Sequence, residues 1–545
     1  MNAMLESFNT QLPVLPVLLP SLTAILLLLV GDGGSRGHGR SQLLAARRIA
    51  LGSALVGLVV AVLLLLRADA GVLSVYRMGE WPAPYGIVLV VDRLSALMLT
   101  LTALVALPVL FYASGGWDTR GRHFHALFQF QLMGLNGAFV TGDLFNLFVF
   151  FEVLLIASYV LMMHGGGKDR LRVGLHYVVL NLTASALFLI GVALIYALTG
   201  TLNLADLALR VPMVTGPDAT VLGTAALLLL VVFGFKAALA PLSLWLPATY
   251  AAASAPVAAL FAIMTKVGVY AILRVHGVVF GDVAPAAGAA ANAALVAQPL
   301  LLPLGLLTSI MGVIGALAAQ SLARLVAWLT VASVGTVLAA LGLYGEGAWS
   351  AALYYMAHST LIVAGLFLLA ELVGAQRGLA GGKLEPASPV AQPALLGTLL
   401  LLAAASSAGL PPLPGFIGKL MLLQASSGHA WGAVVWAVVL GVGFLTLIGL
   451  ARAGSLLFWQ VKRDEPSGAS GASSGLLLAT VSLIAASVAM SLWAAPIMRY
   501  TEAAARQLGD RAAYAAAVLA PAADPPFSST QPYSGRATPA TGDRR

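Results

Sequence analysis

Apolar runs long enough to cross a bilayer recur along the whole chain, separated by short polar segments. A spanning helix needs roughly 20 apolar residues. Fourteen runs approach that length, at 12–30, 49–66, 94–112, 126–141, 144–163, 175–198, 221–246, 250–273, 301–319, 323–343, 351–370, 394–423, 432–457 and 476–496. Lipid offers no partner to backbone N–H and C=O groups, so each run predicts a helix. The pattern describes an all-α polytopic membrane protein with about fourteen transmembrane helices. The first run has no Lys or Arg before it and is interrupted by Pro13, Pro16 and Pro20, so a retained helix is expected rather than a secretory signal.

Two runs are broken from within. In the seventh, Pro241 and Pro247 follow Lys236, and a proline that cannot donate an N–H kinks or opens a helix. In the twelfth, Gly409, Pro411, Pro412, Pro414, Gly415 and Gly418 fall directly before Lys419. Non-helical backbone at membrane depth is tolerated where it lines protein or a water-filled cavity. A lone proline kink is common in membrane helices. A broken span beside a lysine in each half of the chain is the pattern of transporters built from structural repeats. Hinges are therefore expected at Pro241, Pro247, Pro411, Pro412, Pro414 and Gly415.

Composition agrees with this reading: 60% of the 545 residues are hydrophobic and 9% charged, whereas soluble domains run at about 25% charged. There are no cysteines, which excludes disulfides and thiolate-held metals or iron–sulfur clusters. The net charge of +8 is distributed by topology, not gathered into a nucleic-acid-binding stripe. Fifteen loop Lys and Arg follow odd-numbered spans, and only Arg67, Arg77, Arg93, Arg210 and Arg274 follow even-numbered ones. The odd-numbered loops are thus expected in the cytoplasm and both termini outside it. The Ala-rich stretch Ala284–Pro299 reads as a connector, and 501–545 as a polar, disordered tail.

Lys236, Lys266 and Lys419 are the basic residues left inside spans, and Glu152 is the acidic residue deep in one. Each charge at the bilayer centre costs about 2.5–3.5 kcal/mol on insertion scales, so each needs partners, water or a task. An ion pair that merely joins helices is the plain alternative. His358, about two turns into span eleven, is either a proton relay that titrates near neutrality or a hydrogen-bonded core residue. Thr330, Ser333 and Thr336 read as interhelical hydrogen bonds, Asp143 and Asn146 as a helix cap, and Asp92 and Arg93 as structural. His123, His125 and His164 read as solvated. Gly165-Gly166-Gly167-Lys168 has no preceding strand, so it is not a nucleotide phosphate loop.

The run from Gly142 through Asp143, Asn146 and Glu152 to Tyr159, and the stretch Lys236–Arg274 with Trp245-Leu-Pro247, Ala255-Pro256-Val257 and Lys266-Val-Gly268-Val-Tyr270, resemble the antiporter-like subunits. These are shared by Mrp-type cation/proton antiporters, respiratory complex I and membrane-bound hydrogenases. The wording around Glu152 looks most like the D subunit of the Mrp antiporters, and the resemblance covers roughly residues 85–460. It implies two inverted five-helix repeats with broken helices 7 and 12. The N-terminal helices 1–3 would occupy 1–125, the first half-channel 126–275, the second 300–457 and the last helix 458–500. It also implies a proton path through Glu152, Lys236, Lys266, His358 and Lys419, with Glu152 and Lys236 as a pair.

By the same resemblance the chain would be a proton-translocating, non-enzymatic subunit of a bacterial inner-membrane Na+ or K+/H+ antiporter. It would work with other Mrp-type subunits and without cofactor or bound metal. Two alternatives stay open: a pumping subunit of an NADH-quinone oxidoreductase or hydrogenase complex, and a non-transporting scaffold. Complex I's corresponding M subunit usually has Glu where Lys419 stands, and too few residues follow span fourteen for a long lateral helix. Ser243 and Ala248 stand where many relatives have His and Asp, and Ser333 where some have His. These departures give His358 and ordered water a larger part in any relay.

Overall fold

The computed structural model describes residues 9–31, 39–281, 295–462 and 470–520. The apolar runs become helices α1 (Leu15–Val30), α2 (Gly39–Asp69), α3 (Arg93–Ala113), α4 (Phe124–Val140), α5 (Leu144–Met163) and α6 (Lys168–Thr199). After a short α7 (Leu204–Arg210) come α8 (Gly216–Ala237), α9 (Trp245–Ala252) and α10 (Ala255–Ile272), the last running on as a π-helix to Val279. The second half holds α11 (Gln298–Leu317), α12 (Leu322–Gly342), α13 (Glu346–Ala375), α14 (Pro393–Ala408), α15 (Pro414–Ala425), α16 (Gly432–Gly454) and α17 (Ser474–Leu492). Among the described residues twelve helices are long and apolar enough to cross a membrane. With α4 and the broken α14–α15 pair they account for the expected fourteen crossings. A small antiparallel hairpin, β1 (Ser74–Arg77) and β2 (Val88–Val91), joins α2 to α3.

Polar loops sort onto two faces, as alternate crossings require. On one face Arg47 reaches Asp118 at 2.6 Å, Arg170 donates to the Ala252 carbonyl at 2.9 Å, and the Leu322 N–H donates to the Gly382 carbonyl at 2.8 Å. All of these lie at odd-numbered loops. On the other, Arg67 donates to Asn9, the Gly142 N–H to the Val88 carbonyl at 2.9 Å, and Arg511 to the Ala208 carbonyl at 2.7 Å. Both ends of the described chain thus share the face of the even-numbered loops. Asp92 and Asp143 cap α3 and α5 by accepting from the N–H groups of Ser95 and Asn146 at 2.9 and 2.8 Å.

Several expectations change. Residues 501–519 are not an irregular tail: they belong to α18 (Ala494–Gly509) and α19 (Arg511–Leu519). Thr501, Ala504, Ala505 and Leu508 form the buried stripe of α18, an amphipathic pattern that its alanines disguise. Residues 521–545 and the connector up to residue 294 lie outside the described residues. Arg274 is not a loop charge, because it is 3% exposed and ion-paired with Asp92. His125 and His164 are buried rather than solvated: His125 meets Asp118 at 3.0 Å and His164 meets the Trp117 carbonyl at 2.9 Å. Burial raises the Asp118 pKa, but His125 and Arg47 outweigh it and hold the carboxyl below its usual range. Burial also pushes His164 below the usual imidazole range.

The central helix α10 is buried over its whole apolar length, and its contact with α8 is made backbone to backbone. A Cβ on Gly268 would lie 2.5 Å from the Ala237 nitrogen and 2.8 Å from the Phe233 carbonyl. Small residues permit such approach in membrane bundles. Gly268→Ala is therefore expected to force α8 and α10 apart at a cost of about 1–3 kcal/mol, lowering the unfolding temperature of the purified complex. Gly52→Ala, whose Cβ meets nothing within 4 Å, should leave it unchanged.

Candidate functional site

The seventh span opens where its prolines predict. Helix α8 ends at Ala237, Ala238 turns left-handed at φ 63°, and α9 starts at Trp245. Lys236 therefore lies in the last turn of α8. The final carbonyls of a helix lack N–H partners and carry partial negative charge, which favours a cation there. The Lys236 ammonium donates to Asn181 Oδ1 at 3.2 Å and sits 5.9 Å from the centre of the Phe151 ring.

The twelfth span repeats the device with the lysine on the far side of the break. Helix α14 ends at Ala408, Gly409 turns left-handed at φ 89°, and α15 begins at Pro414. Lys419 reaches back from α15 to donate to the carbonyls of Ser407 at 3.2 Å and Ala408 at 2.7 Å, the last two residues of α14. Two glycines leave room for it. A Cβ on Gly443 of α16 would come within 3.2 Å of the Lys419 ammonium and 2.9 Å of the Ala408 carbonyl. One on Gly409 would come within 2.9 Å of the Lys419 side chain. Pro241, Pro411 and Pro412 lie in the breaks themselves, whereas Pro247, Pro414 and Gly415 lie in the first turns of the helices that resume.

Glu152 and Lys236 are close enough to interact electrostatically, but no direct ion pair joins them. Glu152 instead accepts a hydrogen bond from Ser185. Ser185 and Asn181 stand one turn apart on α6, so a single helix face holds both charges. Asn181 is fixed in turn by donating to the Tyr177 carbonyl at 2.9 Å. Asn181 and Ser185 were not among the residues expected from sequence. Their signal is the Tyr177, Asn181, Ser185 spacing of four within an apolar run.

Lys266 is 1% exposed and makes no hydrogen bond or ion pair with the described residues. It precedes Gly268 by two residues, and Gly268 packs on Ala237. Lys266 and Lys236 thus flank one helix crossing. On its other side α10 packs against α13, which carries His358. The His358 ring meets Ser487 Oγ at 2.9 Å through Nδ1, and the Ser406 carbonyl lies within its reach. His358, Lys419, Ser333, Tyr355, Ser407 and Thr446 all line one cavity. It offers about 20 Å³ to the centre of a water molecule, and roughly 10–15 Å³ holds one water. The structure thus brings His358 together with Lys419, and Glu152 with Lys236, with Lys266 between the two clusters along the chain of packed helices.

One further acidic residue lies just past the end that the apolar pattern predicts for its span. Helix α13 continues five residues beyond that end, carrying Glu371, which accepts from Trp117 Nε1 at 2.6 Å and Tyr112 OH at 3.2 Å.

A fourteen-span bundle with a lysine at each of two broken helix ends defines a class of membrane protein, and comparisons identify it further. The family model described as "NADH:quinone oxidoreductase/Mrp antiporter, TM" matches residues 141–446. A Rhizobium meliloti protein, named as the probable D subunit of a K(+)/H(+) antiporter, is 42% identical over 91% of this chain and 95% of its own length. An Alkalihalophilus pseudofirmus protein, named as the D subunit of a Na(+)/H(+) antiporter, is 37% identical over 93% of this chain and 99% of its own. A chain in the solved Mrp complex of Dietzia sp. DQ12-45-1b superposes with a TM-score of 0.79 at 28% identity, covering 94% of this chain and 99% of that one. The chain belongs to the NADH:quinone oxidoreductase/Mrp antiporter transmembrane family.

Among the described residues Asn181 is the only hydrogen-bond acceptor of the Lys236 ammonium. Asn181→Leu should slow ion exchange by the assembled complex, measured as dissipation of a pH gradient in vesicles. Thr183→Val, on the exposed side of the same helix, should leave the rate unchanged.

Proposed function

We propose that this chain is the D subunit of a multisubunit monovalent cation/proton antiporter of the bacterial plasma membrane, and that it carries protons between its buried charges. The observation that carries the reading is the pair of lysines at the two broken helix ends, Lys236 in the last turn of α8 and Lys419 on the last carbonyls of α14. Each broken helix is the fourth of five crossings in its half, α4 to α10 and α11 to α16, which supports the two half-channel repeats. The names of the relatives support coupling to Na+ or K+. The excess of Lys and Arg on the odd-numbered loops supports a cytoplasmic placement of that face, with both termini outside.

The coupling follows from charge. A buried lysine keeps its proton while an opposite charge or dipole faces it and releases it more readily when that partner is neutralised. When Glu152 takes up a proton or a cation, Lys236 loses part of its stabilisation. Its proton then passes through water to Lys266 and onward past His358 to Lys419. Coupling free energies are reciprocal, so cation occupancy that shifts the first cluster also shifts its proton affinity. Lys266, with no partner among the described residues, is the station that both clusters can bias.

The test uses inverted vesicles from a host without its own antiporters, expressing the full operon. A pH gradient is imposed and sodium or potassium added. The gradient should collapse for the wild type and persist for Lys236→Ala in an equally assembled complex. Equal collapse in both would make the chain a scaffold, and no cation response in either would point to a redox-driven pump. Unchanged transport by Glu152→Gln would remove Glu152 from the path.

A further inference from the structure

The glycine run that forms no nucleotide loop has a different setting in the fold. Gly165 and Gly166, between α5 and α6, border a groove of about 640 Å³ that also takes in Arg120, Arg122, Leu28, Phe130 and Val160. The groove starts at the basic loops and descends between α1, α4 and α5 along the outside of the bundle. Leu28 and Val160 are 46% and 44% exposed there, so its lower wall is apolar surface that faces lipid tails. No carboxylate is among the described residues that line it.

Its upper end is built for an anion. Arg120 lies over the Trp117 ring, 4.0 Å from its centre, which steadies the guanidinium. Arg120 feels the Glu371 carboxylate at longer range, but neither Arg120 nor Arg122 makes a side-chain hydrogen bond or ion pair with the described residues, so their N–H donors are not taken up. The loop carbonyls that would repel an anion are drawn elsewhere: Arg170 donates to the carbonyls of His164 at 2.7 Å and Gly166 at 3.3 Å. The lack of side chains on the loop allows this closeness, because a Cβ on Gly165 would lie 3.0 Å from Arg170 Nη1 and 3.7 Å from Arg120 Cβ. Guanidinium forks recognise phosphate oxygens through paired N–H donors.

We propose that this groove binds one anionic phospholipid, with its phosphate held by Arg120 and Arg122 and an acyl chain laid along Leu28, Phe130 and Val160. The combination selects a lipid over free phosphate, because an apolar channel continuous with the bilayer adjoins the charges. Each Lys or Arg near an anionic lipid surface contributes roughly 1 kcal/mol, so the arginine pair gives the site its preference for anionic over zwitterionic headgroups.

The test places the intact complex in nanodiscs of mixed phosphatidylglycerol and phosphatidylcholine, then releases it for native mass spectrometry. The wild type should retain one phosphatidylglycerol at this site. Arg120→Gln/Arg122→Gln should lower that retention about 30-fold, the weight of two such charges. Val160→Trp, which fills the apolar end and leaves both arginines in place, should lower it as well. Arg122→Lys should keep most of it. Equal retention by the wild type and both disruptive variants would overturn the proposal. So would a cross-link from Val160→Cys to a neighbouring subunit in a complex that retains no lipid, since the groove would then be a protein interface.

Discussion

A lysine ammonium inside a bilayer needs negative charge or dipole within the protein, and beside the two broken helices the fold supplies it, from Asn181 Oδ1 for Lys236 and from the last carbonyls of α14 for Lys419. Ending α14 at Ala408 leaves the Ser407 and Ala408 carbonyls to the Lys419 ammonium, whereas at the end of α8 the Gly234 and Phe235 carbonyls accept from the N–H groups of Leu239 and Ala238 and from Trp245 Nε1. Lys236 stands in the last turn of α8 with its ammonium on Asn181, and Lys419 is hydrogen-bonded to the end of α14. At the end of α14 the break and the lysine stabilise each other. Without Lys419 the carbonyls of Ser407 and Ala408 would lose the ammonium from which they accept. The glycines Gly409 and Gly443 are needed because the ammonium must approach the carbonyls between two helices.

This arrangement keeps charges in the membrane without locking them into salt bridges. Lys236 rests on an amide oxygen and Glu152 on a hydroxyl, both presented by α6. A direct ion pair would hold both groups ionised and resist change, whereas neutral partners leave each charge open to neutralisation. The permanent ion pairs lie elsewhere. Asp92 with Arg274, and Asp118 with Arg47 and His125, tie segments together at the two ends of the bundle. Ion-paired charges thus lie toward the two ends of the bundle, whereas Glu152 and Lys236 inside it rest on neutral partners.

The helices and the two breaks are legible in the sequence, and Glu152, Lys236, Lys266, His358 and Lys419 stand out there as candidates, for one reason: charges and prolines within apolar runs are rare. Uncharged polar residues are not. Asn181 and Ser185 look like ordinary interhelical hydrogen bonds, and only the fold shows that they face Lys236 and Glu152. Glu371 is hidden because the apolar pattern ends its span five residues early. Arg274 resembles a loop charge because its partner, Asp92, lies 182 residues away. The alanines of α18 conceal an amphipathic stripe, since alanine reads as apolar or polar surface with equal ease. In each case tertiary contact decides what local pattern leaves open.

The most direct test of the proposed proton path concerns Lys266, a buried lysine with no partner among the described residues. The complex carrying Lys266→Met is reconstituted in proteoliposomes with a trapped pH dye, and internal pH is followed after a sodium or potassium jump. Methionine reproduces the four-atom apolar stem of lysine without its ammonium, so assembly should be preserved. The account predicts an assembled complex in which the cation jump moves no protons. Proton movement at the wild-type rate would contradict it.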